Sequence, residues 1–446
     1  MKYKPYPNYK DSGIKWIGEI PEGWNNCKLK HVVNEFVAGG TPKSDDEKFW
    51  AHDEHGIPWV NIGDMTNNEI VTETKKEITV GGQADKGLRI LKKGTLLYSI
   101  FASLGKVAVL GIDAITNQAI LGIIISKKID TTFLKYYLKN LEKSIIILSN
   151  ANTQNNLNST IVKNIEIAIP LIPDQITIAN FLDKKTARIN ILIEKDKILI
   201  ELLKENRISL INHAVTKGLD PNAKLKDSGI DWIGKIPEGW EVKKLKFVSE
   251  AYISNVDKKI YPNEHDVLLC NYIDVYKNEC ITSNLEFMKA TANIAQIKKL
   301  SINKNDVIIT KDSETIEEIA IPAIVTENFQ NVVCGYHLAI IRSHKEKILG
   351  KYLFRLFQSK KFSEQFSVKA NGVTRYGIST YPIKNIRILI PPKEEQERIV
   401  NYLNKHTIRI DKTIQKIKEK IKLLEEYKKS LIHHTVTGKI DVRGVC

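Results

Sequence analysis

Residues 10–24 read KDSGIKWIGEIPEGW, and residues 226–240 read KDSGIDWIGKIPEGW, with only two positions changed. A second, looser pair is PLIPDQITIANFLDKKTARIN at 170–190 and PPKEEQERIVNYLNKHTIRID at 391–411. Self-similarity at a fixed distance is the signature of a repeated architecture. The chain is therefore a tandem duplication whose edges stayed alike while its middles diverged.

The two similar segments at the end of each half are predicted to be long helices. Residues 175–215 and 393–437 contain neither proline nor glycine, and proline stands just before each segment. The second segment has a heptad seam, with apolar residues at alternating four- and three-residue steps: Ile410, Ile414, Ile417, Ile421 and Leu424.

The same seam, with polar interruptions, occurs in the first segment at Ile189, Ile193, Asp196 and Ile200. We expect the two helices to pack as an antiparallel coiled coil related by a pseudo-two-fold axis. They would form a rigid spacer between the divergent middles. One register sets Asp196 opposite Lys428, and this charge pair is a hypothesis for the structure to test.

The divergent middles contain mostly strand-like apolar runs, such as KGTLLYSI at 93–100 and NDVIITK at 305–311. Short helices are expected at 132–144 and 348–366. Each middle is therefore predicted to be an α+β domain with a mixed sheet.

Composition indicates a folded chain with a polyanionic partner. The length of 446 residues favours two to four domains, and 67 Lys and Arg against 52 Asp and Glu leave a net charge of +15. Such a surplus favours nucleic acid, although a basic protein charged only for solubility is the alternative. Five irregularly spaced cysteines, no signal peptide and no apolar membrane span predict a cytoplasmic protein.

No catalytic motif is found. A phosphate-binding loop, a zinc-protease motif and the adenine-methyltransferase signature are all missing from the sequence. A nuclease-like spacing can be drawn from Asp174, Asp183 and Lys185, but these residues are better explained as the polar start of a helix. The adjacent His433 and His434 would face different sides of a helix, so no metal site is predicted.

Several segments favour binding. The glycine-rich VAGGTPKS turn at 37–44 could bring backbone amides close to phosphate, and an ordinary tight turn is the alternative. Its candidate contacts are Gly39, Gly40, Thr41, Lys43 and Ser44. The following HGIPWVNIGDM at 55–65 is interpreted as core.

Two polar loops lie at equivalent positions near the end of each middle. Amide side chains can read adenine and arginine can read guanine in the major groove. The candidates are Asn152, Thr153, Gln154, Asn155 and Asn156 in the first loop, and Lys369, Asn371, Thr374, Arg375 and Tyr376 in the second. Candidate phosphate contacts are Lys92, Lys93, Lys106, Lys298, Lys299 and Lys304.

The repeated opening motif is rich in tryptophan, at Trp16 and Trp24 and again at Trp232 and Trp240. We expect these residues to brace each sheet domain against the helices. A docking surface for a partner protein is the alternative, because aromatic side chains are common interface anchors.

Together these motifs resemble the specificity subunits of type I restriction–modification systems. The matching residues are the paired opening motifs, GGTPKS followed by IPWVNIGDM, TNQAI at 116–120, the PLIPDQ and PPKEEQ helix starts, and LIHHTVTGKID at 431–441. The resemblance implies target recognition domains at 1–168 and 222–389. It implies conserved spacer helices at 169–221 and 390–446, the latter including the C-terminal tail.

In that family each recognition domain reads one half of a bipartite DNA target, and the helices bind two methyltransferase subunits, which restriction subunits then join. The resemblance implies that this chain is not an enzyme and binds no cofactor. S-adenosylmethionine, ATP and Mg²⁺ are then expected on its partners. The second middle lacks the GGTP and TNQA motifs of the first, which predicts a non-palindromic target. The alternatives are a site-specific nuclease acting alone and a non-specific architectural DNA-binding protein.

Overall fold

The computed structural model describes residues 3–51, 56–66, 68–101, 103–150 and 157–445. The chain divides into two compact units. The first unit comprises residues 1–196 and 419–446, and the second comprises residues 197–418. Each unit holds one sheet domain together with half of each long helix.

The first unit is built on a five-stranded sheet of order β4-β12-β9-β10-β7, beside a four-stranded sheet of order β11-β6-β8-β5. In both sheets most neighbours are antiparallel, but β10 pairs with β7 and β11 with β6 in parallel. The strands are β1 Tyr9–Asp11, β2 Glu19–Pro21, β3 Asn25–Lys28, β4 Val33–Ala38, β5 Trp50–Ala51, β6 Ile57–Val60, β7 Ile70–Val71, β8 Lys76–Ile78, β9 Leu96–Ser99, β10 Val107–Leu110, β11 Ile115–Thr116, β12 Ile120–Ile125 and β13 Glu166–Ile169. The helices are α1 Ile62–Thr66, α2 Val80–Asp85, α3 Thr131–Asn150, α4 Ser159–Lys163 and the first half of α5 Ile172–Lys217.

The second unit repeats this plan, with a five-stranded sheet of order β17-β25-β21-β23-β19 and a three-stranded sheet of order β20-β18-β24. Its strands are β14 Leu225–Asp227, β15 Lys235–Pro237, β16 Glu241–Lys244, β17 Ser249–Ile253, β18 His265–Cys270, β19 Cys280–Ile281, β20 Met288–Ala292, β21 Val307–Thr310, β22 Asp312–Ser313, β23 Pro322–Val325, β24 Val332–Cys334, β25 Leu338–Ser343, β26 Tyr376–Gly377 and β27 Arg387–Ile390. Its helices are α6 Tyr272–Tyr276, α7 Ile294–Leu300, α8 Gly350–Phe357, α9 Lys360–Ser367, α10 Thr380–Asn385 and α11 Lys393–Val436, whose last part belongs to the first unit. The predicted α+β class with mixed sheets, duplicated domains and two long helices is confirmed. The single helix expected at 348–366 is two helices, α8 and α9, joined at Gln358 and Ser359.

One tryptophan of each opening motif packs into the core of its unit, and the bracing of the sheet domains against the helices stays a prediction. Trp24 and Trp240 are almost completely buried, whereas Trp16 is half-buried against Tyr137 and Trp232 is exposed beside Phe362. The two buried indoles differ in their polar contacts. The Nε1 of Trp240 donates to the Glu395 carboxylate at 3.0 Å, whereas the Nε1 of Trp24 has no hydrogen-bond partner among the described residues.

A buried glutamine anchors the start of each long helix. Gln175 donates to the Pro170 carbonyl at 2.9 Å and accepts from the Asp130 amide at 2.8 Å. Gln396 donates to the Pro391 carbonyl at 2.9 Å and accepts from the amide of Leu349 at 2.8 Å. These bonds tie each helix start to the chain segment that precedes the domain's own helix, α3 or α8.

Within each unit α5 and α11 run antiparallel. In the first unit Lys420 donates to Asp196 at 3.0 Å and Lys428 donates to Asn190 at 2.7 Å. In the second unit Arg207 lies 3.0 Å from Asp411. The hypothetical pairing of Asp196 with Lys428 is therefore wrong by eight residues. Isoleucine recurs along both helices, so the apolar seam alone is compatible with several registers.

The seam itself lies where it was predicted. Ile414 and Ile417 are buried, Ile421 and Leu424 pack against the core of the first unit, and Ile410 is half-buried. In the described part of the chain, no helix is both long and apolar enough to cross a membrane.

Candidate nucleic-acid interface

The glycine-rich turn of the first unit packs against the TNQAI segment at 116–120. The amide of Gly39 donates to the Ile120 carbonyl at 3.3 Å, and the amide of Gly40 donates to the Thr116 carbonyl at 2.8 Å. A Cβ atom on Gly39 would lie 2.1 Å from the carbonyl oxygen of Asn117. These glycines therefore permit close packing, and the phosphate-binding role predicted for their amides is corrected, because both amides are already used.

This packing presents polar side chains at the start of strand β12. The Thr41 hydroxyl hydrogen-bonds the side chain of Gln118, which is exposed, and Lys43 and Ser44 are exposed beside them. The indole of Trp59 donates to the Gly40 carbonyl at 2.9 Å and so stabilises the turn. Gln118 was not among the predicted contacts, although it lies within the TNQAI motif.

The polar loop of the second unit, residues 369–378, forms a small hairpin on the end of the sheet. Its strand β26 pairs with β22, and the backbones of Asn371 and Gly377 exchange hydrogen bonds of 3.0 and 2.9 Å. Gly372 has φ +152°, and a Cβ there would lie 1.9 Å from the Arg375 carbonyl oxygen. At the tip Val373 is 95% exposed, and Thr374 and Arg375 are exposed as well. The hairpin thus exposes Arg375 near its tip.

An aromatic and acidic cluster lies beside this hairpin. The rings of Tyr272 and Tyr276 stack with centroids 5.5 Å apart and planes 16° apart. Glu318 accepts hydrogen bonds from Ser313 at 2.6 Å, Tyr276 at 2.8 Å and Tyr272 at 3.3 Å. These bonds, that of Ser313 first, hold the pKa of Glu318 below its ordinary value.

A second charged group stands at the adjoining strand ends. The Asp312 carboxylate accepts from Lys311, and the Nδ1 of His337 lies 3.0 Å from it. The Lys311 ammonium lies 4.9 Å from the centre of the Tyr336 ring, which is 49% exposed. This edge therefore combines basic side chains that donate hydrogen bonds, tyrosine rings that offer a stacking face, and carboxylates that accept. Side chains of these kinds contact base edges and phosphates in DNA-binding proteins.

The two units build this edge on the same backbone frame. In both units an asparagine precedes the short helix, and the aspartate three residues later accepts a hydrogen bond from the backbone amide of that asparagine. The bond from the Asn61 amide to Asp64 is 2.9 Å, and that from the Asn271 amide to Asp274 is 2.7 Å. Residues 55–65 were predicted to be core, and that prediction does not include this frame, which the repeated N-x-x-D spacing at 61–64 and 271–274 indicates. The frame is shared, but Thr66 in α1 stands where α6 carries Tyr276.

The predicted lysines are not all at this edge. Lys92 and Lys93 precede β9 and Lys304 precedes β21, so these three lie at the opposite end of each central strand. Lys92 pairs with Asp113 at 2.7 Å, and Lys106, at the interface end, pairs with Glu142 at 2.7 Å. Lys298 and Lys299 end helix α7, and phosphate contacts by all six lysines stay predictions.

The predicted contacts at 152–156 lie outside the described residues. The chain returns from them at Leu157, whose amide donates to the Ile100 carbonyl at 3.1 Å. Leu157 therefore lies at the end of β9 where Gln118 also lies.

The residues considered for catalysis do not converge. Asp174 lies 3.7 Å from Arg443, Asp183 accepts from the Tyr136 hydroxyl at 2.6 Å, and Lys185 lies over the Phe181 ring. Across the described ranges, no group of three or more His, Cys, Asp or Glu is placed to hold a metal ion.

The two neighbouring histidines have separate surroundings. The Nδ1 of His433 lies 3.1 Å from the Oδ1 of Asn140, whereas the Nδ1 of His434 lies 2.7 Å from the carbonyl of Ser430 in the preceding turn. Burial lowers the pKa of His433. This histidine is therefore a structural contact between α11 and α3.

Comparison with known proteins identifies the family. The family model for the type I restriction modification DNA specificity domain matches residues 21–204 and, a second time, residues 237–423. The MjaIX type I restriction enzyme specificity subunit of Methanocaldococcus jannaschii is 26% identical over 452 residues, covering 99% of this chain and 98% of that protein. The EcoKI specificity subunit of Escherichia coli is 22% identical over 401 residues, covering 86% of this chain and 82% of that protein.

Solved structures share the fold. The HsdS subunit from Thermoanaerobacter tengcongensis superposes with a TM-score of 0.57 at 14% identity, over 94% of this chain and 98% of that one. A chain from a structural study of complex assembly and conformational transition of the type I R-M system gives a TM-score of 0.72 at 13% identity. That match covers 94% of this chain and 99% of the other. The resemblance drawn from the sequence motifs is confirmed: the protein belongs to the family of type I restriction–modification DNA specificity domains, and it carries two of them.

Proposed function

We propose that the protein reads a bipartite, non-palindromic DNA target, with one sheet domain for each half-site. One observation carries this proposal: the two units share a backbone frame at their strand ends but line it with different side chains. The first unit presents Gln118 and Thr41, while the second presents Arg375 and the stacked tyrosines of α6. Amide and guanidinium groups favour different bases in the major groove, so the half-sites should differ.

The surplus of basic residues supports the DNA partner, because neutralising phosphates releases counterions and strengthens binding. We further propose that the chain itself performs no catalysis. The methyltransferase and restriction subunits would then bind S-adenosylmethionine, ATP and Mg²⁺. Helix α5 exposes three apolar side chains, which supports docking of a partner along this helix. They are Ile198, Leu199 and Leu202, with exposed fractions of 53%, 43% and 56%.

The test is selection from random duplex DNA by the chain assembled with its methyltransferase subunits. The expected result is a split motif with two unlike halves. Arg375→Gln should then relax base preference in one half only, and Gln118→Ala in the other half only. The discrimination lost at the affected position should be about 1–3 kcal/mol. Lys43→Ala is the control, since Lys43 is exposed beside Thr41 at the interface, and loss of a phosphate contact there should weaken binding without changing the motif.

Selection of a palindrome, or loss of preference in both halves from a single substitution, would contradict the assignment of one domain to each half. Two further outcomes favour the alternatives. Cleavage of DNA by this chain alone with Mg²⁺ would favour a nuclease. Binding that competitor DNA abolishes without sequence preference would favour an architectural protein.

A further inference from the structure

Glu279 links the edge of the sheet to a long helix in the second unit. It directly precedes the edge strand β19, and its backbone carbonyl accepts from the Ile324 amide of β23 at 2.9 Å. Its carboxylate accepts from the guanidinium of Arg207, in α5, at 2.6 Å. Glu279 therefore contacts the sheet through its backbone and helix α5 through its side chain.

The link continues into the second long helix. Arg207, whose side chain is only 15% exposed, also lies 3.0 Å from the Asp411 carboxylate of α11. Arg355 of α8 adds a parallel connection, since it donates to Asn404 at 2.8 Å and to Thr407 at 3.2 Å. Arg355 also lies 3.8 Å from Glu279. Sheet edge, α8 and both long helices thus meet in one charged group.

The first unit has a comparable junction built from other side chains. Glu69 directly precedes edge strand β7, and its carbonyl accepts from the Val109 amide of β10 at 3.0 Å. Its carboxylate lies 2.7 Å from Lys139 and 3.5 Å from Lys135, and Lys135 lies 3.5 Å from Asp183 of α5. Burial opposes ionisation of Glu69, but the two lysines outweigh it and hold its pKa below the ordinary value.

The correspondence extends to the positions used on the long helices. The Tyr136 hydroxyl contacts Asp183 and Thr186 of α5, and the Arg355 guanidinium contacts the residues 221 positions later, Asn404 and Thr407 of α11. Likewise, Lys428 and Asn190 stand where Arg207 and Asp411 stand in the other unit. The sheet domains differ widely in sequence, so a junction kept in both points to a shared requirement.

We propose that Glu69 and Glu279 are positioning residues that fix the angle of each sheet domain on its segment of the long helices, and so determine which half-site spacing the protein accepts. The proposal rests on the bipartite reading proposed above. Apolar packing between a sheet domain and a helix is non-directional. Short charge-assisted hydrogen bonds are directional. At the edge strand, away from the apolar contact, such a bond limits rocking of the whole domain.

The test uses the full chain with its methyltransferase subunits and the DNA target found by selection. Affinity is measured for three duplexes that differ only in gap length, the selected one and those one base pair shorter and longer. The wild-type protein should prefer one gap. Glu279→Gln keeps the side-chain shape but removes the charge, and it should reduce that preference roughly threefold to tenfold while base preference within each half-site stays unchanged.

Glu286→Gln is the matched control. It removes the same charge from an exposed position of the same sheet domain, where the described residues offer no ion pair or hydrogen bond, and it should keep the wild-type gap preference. If Glu279→Gln does not fold, Glu69→Gln tests the same expectation in the other unit. Wild-type binding with no gap preference would overturn the bipartite reading itself. A wild-type preference that Glu279→Gln and Glu69→Gln both retain would overturn only the positioning role.

Discussion

Reversing the charge of Asp196 should destabilise the protein strongly, and only one second substitution should rescue it. Asp196 is 7% exposed and receives a hydrogen bond from Lys420 at 3.0 Å across the helix pair. Asp196→Lys would place two ammonium groups together with one of them largely buried. Breaking a buried or half-buried charge pair costs about 2–4 kcal/mol, more than a surface pair because the remaining charge lacks solvent.

The rescue distinguishes the observed register from the one that heptads alone allow. Adding Lys420→Asp to Asp196→Lys restores an attractive pair at the same contact, so we expect a coupling free energy of about 1–2 kcal/mol in the double-mutant cycle. Adding Lys428→Asp should restore nothing, because Lys428 contacts Asn190 instead. Asp196→Asn is the control for loss of charge without reversal.

The assay is urea denaturation of each variant followed by circular dichroism, with the free energy of unfolding compared across the cycle. Coupling to position 428 that exceeds coupling to position 420 would refute the register. An unchanged free energy of unfolding in Asp196→Lys would refute the claim that the buried Asp196 carboxylate is stabilised by Lys420.

Three further predictions concern the cores of the units. Trp240→Phe should lower the free energy of unfolding by about 1–3 kcal/mol more than Trp24→Phe, because only the indole of Trp240 makes a hydrogen bond to a carboxylate; equal losses in urea titrations would contradict this. His433 has a lowered pKa, so the folded state binds its proton more weakly and stability is lost as pH falls below about 6.5. His433→Asn should reduce the drop in melting temperature between pH 7 and pH 5, and an identical drop would exclude this role. Gly39→Ala should cost about 2–4 kcal/mol because its Cβ meets backbone, whereas Gly23→Ala, which meets nothing within 4 Å, is the control that should stay near wild type in thermal melts.

The architecture was predictable because each half of the sequence contains the same opening motif and the same kind of helical segment. The opening motif returned at residue 226, and the proline-free, glycine-free segments marked helices that the structure places at Ile172–Lys217 and Lys393–Val436. Periodicity identifies which face of a helix is buried, since it depends only on the 3.6-residue turn. Local patterns of this kind are carried by neighbouring residues, so one sequence is enough to read them.

The register was not predictable in the same way. An isoleucine seam fits its partner at any shift of about two turns, so Asp196 could face position 420 or 428 with similar apolar contact. The buried glutamines Gln175 and Gln396 tie each helix start to its own sheet domain. Their carbonyl partners are close in sequence, but the amides that donate to them lie more than forty residues away.

Only part of the candidate interface was predictable, because several of its residues are distant in sequence and meet only in the folded chain. The loop at 369–378 was identified from its composition, and the structure presents its Arg375 at an exposed tip. Its neighbours Tyr272 and Glu318 come from distant segments, and the contact of Thr41 with Gln118 spans 77 residues. The glycine-rich turn at 37–44 is evident from the sequence, but the segment that Gly39 and Gly40 pack against is defined only when the chain is folded.

The most direct test of the central claim is a genome-wide map of methylated adenines in cells that express this chain with its methyltransferase subunit. We expect one split motif with two unlike halves, and exchange of residues 369–378 for another sequence should alter one half and leave the other intact. A palindromic motif, or a change in both halves after that exchange, would contradict the reading of one half-site by each sheet domain.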